Sequence, residues 1–544
     1  MFFVSQLFAV FQPGCHSDCD PGFQKRGDGS CYLWSDNAKS EGSFPEARSG
    51  CKAEPSFHEL TLPGFVPGTT AAPAGGGVAV ADFNSDKIPD IVALGHDATY
   101  LYAGQLDVAS GTYTVVKGTL PSGLDYYGGY ESALPYDADS DGDLDLALGQ
   151  AMTEFGHDEL LINDGEGKFV VMGAALGVTN SDFTCSAATF AATDWDRDGS
   201  LDLVTTSYNY GVEYQSNPLC VGWNRILLWE NNRYVADALA AFPEAVRSGP
   251  TLSLTPHDFD LDGNVDIMVN VDKDGASLWS HTSEELSGTF QGGGVGGMGV
   301  GLSDFNRDGA VDIVAPWFGR FGFYLSRMEG STIQYYDSAE ALGVTLGDRV
   351  SWAGGFADVN NDGREDLYIA NGSHNPGGDV GKPDFMANAV LIQSESGSLT
   401  DRALDWGLES LTDGAGNTHS WVAIDLNRDG VLDYVQTNVT GQPIVHLSQG
   451  CTSGHFLVID LQGSAAQVVG ARVQVTTADG TVRTQWASAG GAAYGSGVDP
   501  SMLHIGLGAI TDLVSVTVTW PDGSTSVQSG IAPDDTLNVE WVPN

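Results

Sequence analysis

The nine residues Asp137–Asp145, DADSDGDLD, set five carboxylates in a span that holds no basic side chain. Carboxylates at positions 1, 3 and 5 (Asp137, Asp139, Asp141) can turn inward together only if the backbone wraps tightly, and Gly142 at position 6 allows that turn at little steric cost. Asp145 at position 9 closes the ring. Hard oxygen donors without His or Cys select a hard cation, and a flexible loop rich in carboxylates suits Ca²⁺ better than Mg²⁺. For one such stretch an acidic surface turn is the alternative, since Asp and Gly are ordinary turn residues.

Seven copies in register are not. The loops are DFNSDKIPD, DADSDGDLD, DWDRDGSLD, DFDLDGNVD, DFNRDGAVD, DVNNDGRED and DLNRDGVLD, spaced 55, 57, 64, 46, 54 and 67 residues apart. Their candidate ligands fall at fixed positions. Position 1 holds Asp82, Asp137, Asp194, Asp258, Asp304, Asp358 and Asp425; position 3 holds Asn84, Asp139, Asp196, Asp260, Asn306, Asn360 and Asn427. Position 5 holds Asp86, Asp141, Asp198, Asp262, Asp308, Asp362 and Asp429. Position 7, through its backbone carbonyl, holds Ile88, Asp143, Ser200, Asn264, Ala310, Arg364 and Val431, and position 9 holds Asp90, Asp145, Asp202, Asp266, Asp312, Asp366 and Asp433. The first loop departs from the rest: Lys87 replaces the position-6 glycine and Asn84 removes a carboxylate, so the weakest or an empty site is expected there.

An EF-hand would need a bidentate Glu at position 12 and a helix on each side. Position 12 is instead Ala93, Leu148, Thr205, Val269, Ala315, Ile369 or Gln436. Short apolar runs precede and follow each loop, such as WVAI before Asp425 and LYIA after Asp366, and they read as buried strands. Behind several loops lies a second pair of extended runs around a turn, as in ELLINDGEGKFV (159–170), ILLWENNRYV (226–235) and AVLIQSESGSLT (389–400). Four strands per repeat, repeated radially, make a propeller blade. The expected fold is therefore all-β: a seven-bladed β-propeller with calcium loops, followed by a small antiparallel β-domain.

With 71 acidic against 23 basic residues the net charge is −48, which argues against nucleic acid or an anionic membrane surface as partner. Seven divalent cations would add +14 and leave −34, so metal relieves the self-repulsion without cancelling it. No apolar run reaches the roughly 18 residues that span a bilayer, so no transmembrane segment is expected. FFVSQLFAVF (2–11) has the length of an export-signal core but lacks a preceding basic residue, and residues 1–14 are taken as an atypical or truncated leader. Cys15, Cys19, Cys31 and Cys51 cluster in a Cys-rich module over 15–56, while Cys185, Cys220 and Cys451 are scattered. Two N-terminal bridges, a Cys185–Cys220 bridge and an unpaired Cys451 fit an oxidising, extracellular or cell-surface location, although spacing does not fix the connectivity. Arg26-Gly27-Asp28 matches an integrin-ligand tripeptide, a match three residues long.

The seven loops resemble the FG-GAP and VCBS repeats of integrin-α-type propellers, in which a cation sits in the turn between two blade strands. That resemblance covers 57–450. Beyond it, GARV (470–473), LHIGLG (503–508) and VTWPDG (518–523) alternate with Asp-Gly turns and resemble the ASPIC/UnbV domain over 451–544. Propeller followed by that domain is the arrangement of the cartilage acidic protein 1 family and its bacterial relatives. Where that family tends to have Phe after the motif His, this chain has Ile505.

No nucleophile elbow, P-loop or H-E-x-x-H sequence is present, and no catalytic residue is assigned. His504, lone and flanked by apolar residues, reads as a packed structural residue, and Trp195 and Phe259, alternating with ligand positions, should point into the core. Each close Asp pair sits in a loop whose cation would hold both groups ionised, which leaves no free acid for glycosidase chemistry. The expected function is that of an exported calcium-binding adhesion or protein/glycan interaction module. Two rival readings are a carbohydrate-active lyase or hydrolase on the same scaffold, to which NGSHNPGGDVGKPDF (371–385) could contribute, and a self-associating subunit of a surface layer or filament.

Overall fold

The computed structural model describes residues 23–25, 31–33, 54–66, 76–95, 98–107, 110–121, 124, 130–150, 158–178, 189–206, 224–247, 251–271, 275–286, 290–291, 297–317, 320–329, 332–347, 349–373, 386–409, 417–439, 441–449, 452, 454–490 and 497–543. The leader, the Arg-Gly-Asp tripeptide, the expected disulfides and most of the 371–385 stretch lie outside those residues.

The chain is all-β. In each repeat the apolar run before the Asp loop and the run after it pair antiparallel, as Val78–Ala81 does with Asp90–Leu94 and Thr418–Ile424 with Asp433–Asn438. These strands are buried on consecutive rather than alternate residues, over the whole of Val78–Ala81, Asp90–Leu94 and Asp433–Asn438 and the first five residues of Thr418–Ile424, because neighbouring sheets cover both of their faces. All seven strands after the loops begin on the position-9 aspartate, from Asp90–Leu94 to Asp433–Asn438. The expected hairpins supply the outer strands, for example Ala389–Gln393 with Leu399–Asp401.

Seven sheets follow in chain order, and seven apolar clusters join each to the next. Phe83 and Val92 of the first meet Ala133 and Leu146 of the second. Trp352 and Tyr368 of the sixth meet Trp421 and Tyr434 of the seventh. Val422 and Val435 of the seventh then meet Val78 and Ile91 of the first, so the ring closes. Closure is also covalently staggered: the strand Phe57–Thr61, which precedes the first loop, pairs with Ile444–Ser448 as the outermost strand of the seventh sheet. Leaving aside strands added by the C-terminal domain, two sheets depart from four strands among the described residues. Among the described residues the fourth sheet has three strands, and Phe290–Gln291 pairs parallel with Thr332–Asp337 of the fifth, where Phe290 packs against Tyr324 and Tyr335.

From His455 the chain builds two further sheets around a separate apolar core that includes Leu457, Val473, Leu507 and Trp520. The domain is mostly antiparallel, as expected, with one parallel pairing. His455–Gln462 pairs antiparallel with Met502–Gly508 but parallel with Asp535–Glu540, a pairing that the long intervening crossover permits. Two short segments leave this domain for the ring: Ala489–Gly490 adds to the first strand of the third sheet, and Gly497–Val498 pairs parallel with the first strand of the first sheet.

Candidate metal centres

The seven loops share one backbone path. Position 6 is left-handed in every loop, and so is position 4, where Ser85, Ser140, Arg197, Leu261, Arg307, Asn361 and Arg428 have φ between 56° and 64°. The glycine at position 6 signals the first of these turns; nothing in the side chains at position 4 signals the second. Lys87 adopts the left-handed conformation (φ 67°) without the glycine that usually supplies it.

This path aims backbone N–H groups at the carboxylates. Asp137 accepts from Asp141 N at 3.2 Å and Gly142 N at 3.1 Å, and Asp358 accepts from Asp362 N at 3.0 Å and Gly363 N at 2.7 Å. The position-9 carboxylate has a second role absent from the sequence reading. In every loop but the fourth, one oxygen accepts a backbone N–H from within its own loop, while the other accepts one from the third strand of the sheet or the residue that ends it, as in Asp145 with Ala138 N (2.8 Å) and Asn163 N (2.9 Å). It thereby ties loop to sheet.

Donor chemistry and geometry fit a hard cation. In three loops carboxylate oxygens converge within 4.8 Å of one another: Asp137, Asp139 and Asp145; Asp194, Asp196 and Asp202; Asp258, Asp260 and Asp262. In the fourth loop Asp258 Oδ1 and Asp266 Oδ1 are buried without a hydrogen-bond partner, as atoms awaiting a ligand would be. Burial, opposed by the backbone N–H bonds, raises Asp90, Asp202 and Asp266 to about 7 and Asp145 to about 8. A bound cation would favour the ionised forms that burial disfavours.

The loops are not equivalent. At the second, third and fourth, the tips around Asp139, Asp196 and Asp262 are exposed. At the fifth, sixth and seventh, Asp304, Asp358 and Asn427 are buried. The converging carboxylates belong to the open loops, which carry Asp at position 3. The covered loops carry Asn there, and Asn306, Asn360 and Asn427 each donate to the position-5 carboxylate at 3.1 Å. In the sixth loop, Arg364 does more than offer a carbonyl: its guanidinium bonds Asp362 at 2.7 Å, with both side chains about 10% exposed. Lys87 is exposed, and its charge bears on Asp460 of the C-terminal domain.

Trp195 and Phe259 are buried as expected, at 5% and 1% exposure. Burial pushes His504 down to about 4, and its neutral ring lies 2.8 Å from Asn361 Oδ1 and stacks on Phe456. A cavity of about 770 Å³ opens between the first, second and seventh loops and the C-terminal domain. Its walls include Asp82, Asp143, Asp460 and Asp499, and carboxylates outnumber Lys87 and Arg428 there, so it favours cationic groups. It joins segments more than 400 residues apart in sequence, beyond the reach of local patterns.

Comparison with known proteins agrees with the local chemistry. Residues 329–435 match the family described as FG-GAP-like repeat, and 462–542 match ASPIC and UnbV. The chain is 29% identical over 251 residues to cartilage acidic protein 1 of Mus musculus, covering 45% of this chain and 36% of that one. It is 28% identical over 247 residues to the Homo sapiens protein, covering 43% and 35%. The matched region thus spans about a third of the length of these relatives. Among solved structures, rhamnogalacturonan lyase YesW aligns over 73% of this chain and 76% of its own, with TM-score 0.38 and 15% identity. The V. cholerae biofilm matrix protein Bap1 aligns over 75% and 61%, with TM-score 0.32 and 13% identity. Scores of this size bear on neither function nor ligand.

Proposed function

We propose that this chain is a calcium-binding, seven-bladed propeller that works outside the cell as an adhesion or protein/glycan interaction module. The observation that carries the cation is the fourth loop, where three carboxylates converge and two of the loop's buried oxygens have no partner. All-oxygen donors on a flexible loop favour Ca²⁺ over softer ions. Each loop joins two strands of its sheet, so the cation acts on the fold itself and binding is coupled to stability. The residual charge of about −34 after loading keeps the surface soluble and directs it toward basic or cation-bridged partners. The likeness to a protein named for cartilage supports an extracellular setting.

The test has two stages. Metal analysis and calorimetry of the chelator-stripped full chain should find several Ca²⁺ ions bound per chain, with affinities on the order of 10⁻⁴ to 10⁻³ M as in extracellular modules. Arrays of extracellular proteins and glycans, probed in calcium and in chelator, should then give calcium-dependent binding. Absence of bound calcium would end the first half of the reading. New reducing or unsaturated ends released from a polysaccharide panel would replace the second half with an enzyme.

A further inference from the structure

The C-terminal domain sits on the covered loops with contacts that reach their ligand positions. Gly506 approaches the sixth loop so closely that a Cβ there would stand 1.7 Å from Asp358 Oδ2. Gly508 N donates to Asn361 O at 3.0 Å, and His504 Nε2 lies 2.8 Å from Asn361 Oδ1. Arg483 Nε donates to Gly363 O at 3.2 Å, and Gln485 Nε2 to Glu365 Oε1 at 3.0 Å. Phe456 packs on Gly430 of the seventh loop, and Asn361 Nδ2 bridges to Gly430 O at 2.6 Å. On the fifth loop, the Arg472 guanidinium lies 3.7 Å from the place a Cβ on Gly309 would occupy. The second, third and fourth loops keep exposed tips. Asn361, the left-handed residue at position 4 of the sixth loop (φ 56°), thus meets the domain through both its carbonyl and its side chain.

We propose that the C-terminal domain is the outer wall of the cation sites on the fifth to seventh loops, with Gly506, His504, Arg483 and Gln485 as positioning residues. The proposal rests on the reading of the loops as calcium sites. Two consequences follow from linkage. A cation in a covered loop leaves only when the domain lifts, and cations there hold the domain down. The open loops exchange directly with solvent. The Asn residues at position 3 suit this division, because a covered site in a low-dielectric setting carries less uncompensated negative charge.

The test uses the calcium-loaded full chain mixed rapidly with a fluorescent chelator. Calcium should leave in two phases, with the slow phase about tenfold or more slower because it waits on local opening. Gly506→Ala should move the slow ions into the fast phase. Since that variant risks misfolding, Gln485→Ala and Arg483→Gln, which remove the bond to Glu365 and the bond to Gly363 O across the interface, should accelerate the slow phase and leave the fast phase unchanged. Hydrogen exchange at 503–508 should slow on adding calcium. Metal content separates the two levels: no bound calcium overturns the calcium reading and this inference together. Bound calcium that leaves in a single phase, or a slow phase indifferent to all three substitutions, overturns the wall alone.

Discussion

Replacing Asp258 by Asn should stabilise the metal-free protein and lose that advantage in calcium. Asp258 Oδ2 accepts from Gly263 N at 3.0 Å, while its buried Oδ1 has no partner. An Asn keeps the acceptor and removes the charge. Burial, then the neighbouring charges of Asp260 and Asp262, raises the carboxyl from 3.8 to about 6. At about 1.36 kcal/mol per pKa unit, ionising it in the metal-free fold costs roughly 3 kcal/mol. Solvent screening of a group that is not fully buried reduces this to roughly 1–2 kcal/mol. The folded value is raised, so the stabilising contribution exists at low pH and is lost as pH rises through about 6. In chelator near neutral pH, Asp258→Asn should therefore raise Tm by about 1–2 °C for a chain of this size, and most of the gain should be gone by about pH 4, where the folded state holds the proton and the unfolded state begins to take it up. With about 5 mM calcium, a site of 10⁻⁴ to 10⁻³ M affinity contributes roughly 1–2 kcal/mol. The variant forgoes that, so its advantage should shrink to near zero. Thermal melts by circular dichroism in chelator and in calcium, at both pH values, check all four corners. A variant that is equally destabilised in chelator and in calcium would refute the reasoning, because Asp258 would then be a structural acceptor only.

Metal-free protein should lose stability as pH rises from about 4 to about 8, since Asp90, Asp202 and Asp425 are raised to about 7 and Asp145 to about 8 by burial; saturating calcium should flatten that slope, as chelator and calcium melts across pH will read. Gly490→Ala places a Cβ 2.4 Å from Phe190 O at φ 71°, and should cost roughly 2–3 kcal/mol, with faster hydrogen exchange at 489–490 and along Phe190–Thr193. Tyr136→Phe removes the 2.9 Å hydroxyl contact that joins Tyr136 to Tyr234 across two sheets and leaves Tyr234 unpaired. A loss of roughly 1–3 kcal/mol with an unchanged denaturant slope is expected.

Much of the fold was legible because its signals are local. A nine-residue loop with Asp at fixed positions must wrap within itself, and the apolar runs beside it have to be strands buried on both faces. Sevenfold recurrence then implies a radial array. The parallel pairing of His455–Gln462 with Asp535–Glu540, the migration of Phe290–Gln291 to the fifth sheet, and the closing strand Phe57–Thr61 were not legible. Each depends on which distant segment supplies the open edge, and a short β-strand carries no record of its partner.

The same division holds at the metal centres. Sequence alone supplied the candidate donor groups and the odd composition of the first loop, because residue type and spacing are covalent facts. Only the tertiary structure decided that the position-9 carboxylates outside the fourth loop also bind the third strand, that Arg364 pairs with Asp362, and that one domain covers three loops and leaves three others with open tips. Those outcomes come from burial and from the approach of remote backbone. Both are set by how the ring closes and where the C-terminal domain comes to rest upon it.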